Sequence, residues 1–436
     1  MVSIERDALK FRPFPKSSCV SNPREFEFLH LIWKIVEMAV DWTQLPRELF
    51  ESISKCLTIY ADYLRFRAVC HSWRSSVSNI PRHLPPQLPW LMLPYTQSLQ
   101  SHLAFFDFSA QSLHLLELPE AASHRKRRCG SSHGWLVILG ETPEVLLLNP
   151  LTRSKIHLPP LSTFPYVLSF NYSEVGKEYE LRGTFGAIHR LGLREMRDSF
   201  IKKVVLSSSP QSDNNNNKNY IALAILLQPD ILAYCKNGDQ SWTLLHSATF
   251  FCEDVIYHKD LFYAVDKQGA IAVCDLHSES PSVSITRMPI ESRSDMRYLV
   301  NSEDELLMVT RYVELHYDDI SPYSLNAFYK TVRFEVFRMV WSGPQWEKVT
   351  SLGDRMLFIG QNSSFSLPAS DFPGCLGNCI YFTDDDCEFN LDSDFGEYDL
   401  GIFKICDGSI EPLPCYQRNP HSQVHGPPIW VTPNPC

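Results

Sequence analysis

Apolar positions recur at intervals of three and four between residues 46 and 74, and in short runs broken by turn residues after residue 90. In the first stretch Leu49, Phe50, Ile53, Cys56 and Leu57 fall on one face of a helix, with Arg47, Glu51, Ser52 and Lys55 largely on the other. Pro46 suits the first helical position, where its missing N–H would be unpaired anyway. Glu48 then lies in the first turn, favoured by the helix dipole. Thr58-Ile59-Tyr60 breaks the pattern. A second helix is expected behind Asp62 as N-cap, with Leu64, Ala68, Val69 and Trp73 as its apolar stripe and Arg65, Arg67, His71 and Arg74 as a basic remainder. About thirty residues cannot bury enough apolar surface to fold alone, so part of these stripes must pack on a partner or on the remaining chain.

Pro81, Pro85, Pro86 and Pro89 form a stiff connection that cannot continue a helix. Beyond it six segments repeat one plan of strand, polar turn and strand: 105–119, 146–159, 232–245, 271–289, 336–349 and 402–414. Asn237-Gly238 in the third predicts a type I′ hairpin turn. Further strand candidates precede the third unit at 203–206 and 221–226, and the fourth at 255–258 and 262–265. The sum is about four strands per unit, as in a propeller blade, and predicts a β-propeller of about six or seven blades. A β-sandwich is the structural alternative, but it leaves the recurrence unexplained. The Asn-rich run 213–219 reads as a long hairpin loop. The expected fold class is therefore mainly β with a small N-terminal α module.

Trp42-x-x-Leu45-Pro46-x-Glu48-Leu49, followed by Ile53, Leu57, Asp62, Leu64, Arg65, Val69-Cys70 and Trp73-Arg74, resembles an F-box. The chain as a whole resembles plant F-box proteins whose C-terminal region is a kelch-like propeller of unknown function. The residues that carry this second likeness are 130–136 (GSSHGWL), 148–152 (LNPLT), Trp242-Thr243 and 428–433 (PIWVTP), in that order. Gly-Gly pairs of the kelch type and Trp-Asp endings of the WD type are not recognisable. The resemblance implies a substrate receptor of an SCF-type (cullin–RING) ubiquitin ligase. Leu45, Pro46, Leu49, Ile53 and Leu57 would face a Skp-type adaptor and, through it, a cullin, while the propeller binds a target protein. It implies no catalysis, no cofactor and no ubiquitin-accepting cysteine. The domain boundaries expected are 1–37 for an N-terminal extension, 38–80 for the F-box, 81–90 for the linker and 91–433 for the propeller. Met38-Ala39-Val40-Asp41-Trp42 reads as a native start, which would leave 1–37 as an added segment.

Composition narrows the function classes. A formal charge of −10 argues against general nucleic-acid affinity. Thirteen scattered cysteines read as reduced thiols of a nuclear or cytoplasmic protein. Cys375, Cys379 and Cys387 lack the paired-knuckle spacing of a zinc site and read as buried strand cysteines. The apolar segment 26–40 contains Glu27, His30, Lys34 and Glu37 and is shorter than the ~20 residues a membrane span needs, so it reads as a helix.

Three further clusters invite chemistry. The basic run His124 to Arg128 reads as a solvated loop rather than a nuclear-import or anion-binding patch. Ser131-Ser132-His133 lacks the spatial context of a nucleophile, and His133-Gly134-Trp135 reads as a turn that sends Trp135 into the core. The acids from Asp384 to Asp399 fail the spacing of a calcium loop and read as an exposed hairpin tip. A propeller enzyme would need a set of acids, histidines or metal ligands at the channel, and no spaced set is offered. An F-box scaffold working outside a ligase is not separable from a receptor on these grounds.

Overall fold

The computed structural model describes residues 42–78, 81, 83–183, 186–210, 220–227, 231–245, 251–278, 280–288, 294–318, 326–385, 398–415 and 424–434. The expected extension 1–37, the segment 26–40, the Asn-rich run and Cys387 lie outside these residues. The chain divides into two units, residues 1–78 and 79–436.

In the first unit the two expected helices become three: α1 (Arg47–Lys55), α2 (Tyr60–Ala68) and α3 (His71–Ser76). Pro46 is the N-cap of α1, one position earlier than expected, with φ −55° and ψ 145°. Asp62 is not a cap. The second helix starts two residues before it, at Tyr60, so Asp62 sits in the first turn and pairs with Arg65 at 2.6 Å. The chain breaks again at Val69-Cys70, which gives Trp73 to a separate helix and rotates the buried stripe. Tyr60, Tyr63 and Phe66 go inside with Phe50 and Val77, while Leu64, Ala68 and Val69 stay exposed. Trp73 stacks at 4.5 Å from Phe66 and 5.3 Å from Phe50, and its indole N–H donates to Trp42 O at 3.2 Å. Aromatic rings bury large areas per residue, so these few side chains cover much apolar surface.

Among the described residues the second unit is a ring of six blades. Counted from the axis outward, blade I combines Ile429–Val431, Trp90–Met92, His102–Asp107 and Ser112–Glu117. Blade II runs from Lys126–Ser132 to Lys155–Leu158, blade III from Ile201–Leu206 to Thr243–Leu244, and blade IV from Cys252–His258 to Ser282–Thr286. Blade V begins at Met296–Ser302 and ends at Gln345–Val349. In blade VI the hairpin Arg355–Ile359/Phe365–Pro368 joins Cys379–Phe382 through a parallel pairing, followed by Gly401–Lys404 and Ile410–Glu411. One residue pair, Asn301↔Phe365, connects the sheets of blades V and VI. The six repeated segments of the sequence are the outer hairpins of these six blades.

Strand patterning follows position in the blade. The second strands of blades II and III, 135–140 (WLVILG) and 221–226 (IALAIL), are buried at every residue, because each face packs on a neighbouring blade. The period of two then sorts side chains between seams. Leu136 and Ile138 pack toward blade I, whereas Val137 and Leu139 pack toward blade III. The outermost strand Ser112–Glu117 alternates between half-buried and exposed. Six apolar clusters fill the six seams in cyclic order, the last one joining Met356, Phe358 and Tyr381 of blade VI to Leu91 and Trp430 of blade I.

Between blades II and III the chain inserts a three-stranded sheet (Val167–Phe170, Tyr179–Arg182, Ile188–Leu191) and helix α4 (Leu193–Ser199). Tyr179, Met196 and Phe200 fill the seam beside it. The turn at Asn237-Gly238 is not type I′. Positive φ occurs at Gly238 alone, at +92°, and Asp239 N donates to Lys236 O at 3.0 Å, the pattern of a type II turn.

Candidate docking site

Among the described residues, the helical unit leaves apolar side chains exposed beside a buried aromatic cluster. The amphipathic face expected for α1 splits: Phe50 is fully buried, while Leu49 is 47% and Ile53 38% exposed. Leu45 and Leu57 are half-buried, and Pro46 is exposed. Ile59, Leu64, Val69 and Trp42 extend the open apolar surface. Open apolar surface of this kind marks interaction sites.

The motifs in the propeller are mostly structural. In 130–136, Ser131 Oγ donates to Trp430 O, Ser132 Oγ accepts from Leu206 N at 3.1 Å, and His133 takes φ +51° at the hairpin corner. His133 Nε2 contacts Leu206 O at 3.2 Å. Trp135 is in the core, with its indole N–H donating to Ser209 Oγ at 3.2 Å. Asn149 Oδ1 accepts from Leu151 N at 3.0 Å and Thr152 N at 3.1 Å, closing the turn at 148–152, and its amide donates to Asn434 O at 3.0 Å. Trp242 stacks on Phe164 at 4.6 Å and donates to Pro159 O at 2.7 Å. These residues hold seams and corners.

Two expectations are corrected. The basic run is not a solvated loop: Lys126, Arg127 and Arg128 belong to the inner strand of blade II, and only His124 and Arg125 before them are exposed. Arg128 is buried, donating to Ala121 O at 3.0 Å and to His425 O, and Arg127 donates to Ile201 O at 2.7 Å. Nor are the acids simply a surface tip. Asp384 is buried and Asp385 and Asp399 are largely covered, because Arg311, itself fully buried, draws them in.

The guanidinium of Arg311 donates to Asp385 Oδ1 at 3.2 Å, Asp399 Oδ2 at 2.8 Å, Thr331 Oγ1 at 2.7 Å and Tyr298 Oη at 3.1 Å. Asp384 accepts from Asp399 N at 2.9 Å and from the Tyr329 hydroxyl. Burial raises the Asp384 pKa to about 7, with Arg311 opposing it. The remaining acids, 386–397, lie outside the described residues.

A second buried ion pair was also illegible in sequence. Lys203 Nζ of blade III donates to Asp254 Oδ1 of blade IV at 2.6 Å, and Asp254 Oδ2 accepts from Leu299 N of blade V at 2.9 Å. One carboxylate thereby ties three consecutive inner strands. The available signal was a charged residue within an apolar strand, at Lys203, Asp254 and Arg311.

Cys379 is buried and Cys375 half-buried, and burial raises both thiol pKa values above the ordinary range. Among the described residues no group of three His, Cys, Asp or Glu side chains could hold a metal ion. No described helix is long and apolar enough to cross a membrane.

Comparison with known families gives two matches. Residues 42–84 match the F-box domain, and residues 105–404 match the KIB1-4 beta-propeller. F-box protein SKIP23 of Arabidopsis thaliana is 31% identical over 422 residues, covering 90% of this chain and 96% of its own. F-box protein At2g17036 of the same plant is 26% identical over 421 residues, covering 90% and 95%.

Proposed function

Because this chain belongs to the F-box proteins that carry a KIB1-4 β-propeller, we propose that it is the substrate-recognition subunit of an SCF-type ubiquitin ligase. In this reading the helical unit docks on a Skp-type adaptor through Leu45, Pro46, Leu49, Ile53 and Leu57, and the propeller holds the target protein. The observation that carries it is the apolar surface that Leu49 and Ile53 leave open on a helix whose Phe50 is fully buried.

The chain performs no bond chemistry in this scheme. It raises the effective concentration of target lysines near ubiquitin charged on a separate enzyme, a gain of proximity. A nuclear or cytoplasmic site of action goes with this role.

The test uses the full chain. Leu49→Asp with Ile53→Asp places two charges on the exposed face of α1. Co-purification with a Skp-type adaptor is expected to fall by at least about a hundredfold, since desolvating unpaired carboxylates is costly, while the circular dichroism spectrum is unchanged. Adaptor binding that survives the double substitution would remove the assignment.

A further inference from the structure

Blade I ends in a strand with an open edge. This outermost strand, Ser112–Glu117, pairs on its inner side with His102–Asp107 in unbroken register. Leu118 N donates to Ser101 O at 2.7 Å, and Ala104 O turns the other way, accepting from Leu93 N at 2.8 Å. Antiparallel ladders alternate, so Ser112, His114 and Leu116 bond inward to the neighbouring strand, and Leu113, Leu115 and Glu117 direct their N–H and C=O groups outward. No described backbone group pairs with these outward groups. Proteins protect such edges with Lys, Pro or a bulge. Residues 112–117 (SLHLLE) have none of the three. Instead Leu113 is 53% and Leu115 54% exposed.

The other outermost strands differ. Blades III and VI end in strands of two residues. That of blade II begins at Lys155 and runs into Pro159, and that of blade V carries Glu347 and Lys348. That of blade IV, Ser282–Thr286, follows Pro281. The blade I strand is also fixed in place. Asp107 accepts from Ser109 N at 2.8 Å and Ala110 N at 3.1 Å in the turn before it, and His114, on the face away from the two leucines, stacks on Trp90 at 4.7 Å. A prearranged strand loses little freedom on binding. What fits a row of alternating N–H and C=O groups is another extended main chain. Its side chains would lie beside Leu113, Leu115 and Glu117. The Glu117 side chain is 58% exposed, and Arg153 approaches it at 3.6 Å from solvent, a weak pair that a basic residue can displace.

We propose that the outer edge of blade I captures an extended segment of the target protein as a fifth strand, antiparallel to Ser112–Glu117, with a basic residue beside Glu117 and apolar residues beside Leu115 and Leu113. The proposal rests on the reading of the propeller as the target-binding half.

The test pans a phage library of random dodecapeptides against the full-length chain and measures binding of synthetic copies of the selected sequences. The expected pattern is basic-x-apolar-x-apolar, and bound peptide should slow amide hydrogen exchange across residues 112–117. Leu115→Pro removes one outward N–H and spares the ladder to the neighbouring strand, so it should weaken binding about tenfold. Glu117→Lys should lose the selected peptides and bind copies whose basic residue is replaced by glutamate, a reversal that a purely structural role would not produce. Being a surface change, it keeps the test decisive if Leu115→Pro fails to fold. No shared pattern, unchanged exchange across 112–117, or binding indifferent to Glu117→Lys would each overturn the proposal. So would a dimer of the parent chain that Leu115→Pro makes monomeric, because the edge would then join two copies. Adaptor co-purification separates the two readings. A chain that binds the adaptor but none of the peptides overturns the strand capture alone, and one that binds the peptides but no adaptor keeps the edge and removes the ligase.

Discussion

Arg311 stands in the middle of the strand Glu305–Asp318 with no exposed surface, facing three carboxylates with one positive charge. Burial, with the neighbouring Asp385 charge adding to it, is why Asp384 holds its proton to about pH 7 against the pull of Arg311. The consequence for stability has a definite sign. An unfolded aspartate titrates near 3.9, so between that pH and about 7 the folded state binds a proton that the unfolded state has released. Stability contributed by this group therefore falls as pH rises through that window. Asp384→Asn keeps an acceptor for Asp399 N and a partner for the Tyr329 hydroxyl, and it removes the titration. Denaturant unfolding of both proteins from pH 4 to pH 8 should show the variant gaining on the parent as pH rises. A difference independent of pH would contradict the protonation state assigned here.

At the scale of strands and helices, charge is worth what its surroundings make it worth. Lys203–Asp254 joins two inner strands with both side chains under a tenth exposed. Asp254→Ala leaves a lysine buried without a partner and Leu299 N without an acceptor, and should cost about 3–5 kcal/mol. Arg338 also makes two ion pairs, to Glu305 at 3.1 Å and Glu347 at 2.9 Å, but all three side chains are exposed. Arg338→Ala should cost under about 1 kcal/mol. Thermal or denaturant unfolding of the two variants checks the ranking, and equal costs would mean that Asp254 does not tie the blades. The same contrast of surroundings explains the helical unit, where Phe50 and Ile53 share one apolar pattern but only Phe50 enters the core.

The ring as a whole is closed by its two ends. Trp90–Met92 pairs antiparallel with Ile429–Val431, so blade I contains strands from residues separated by most of the chain. This pairing covers two strand edges at once and seats Trp430 in the seam between blades VI and I. Removing residues 424–436 should lower the melting temperature of the entire propeller and promote aggregation, since the open ring exposes a seam as well as an edge. Differential scanning fluorimetry with light scattering measures both. A truncated chain that melts with the parent would show that closure contributes little.

Much of this architecture was legible in the sequence. Outer hairpins repeat because they share one task, an alternating solvent face and a tight polar turn, so all six were visible as a pattern. The F-box residues were visible through their resemblance to that motif; helix spacing is local and placed the helices, but the cap expected at Asp62 lies inside the first turn. Local signals stopped short wherever the deciding neighbour lay far along the chain. The pattern of α1 could not say which apolar residues meet Phe66 and Trp73 and which stay open. The acids beside Asp384 looked like surface because Arg311 is more than seventy residues away. Sequence determined the two-part organisation and the repeat, through periodicities that each segment carries alone. Tertiary structure decided the blade number and the buried charges, because those depend on which distant segments share one desolvated space.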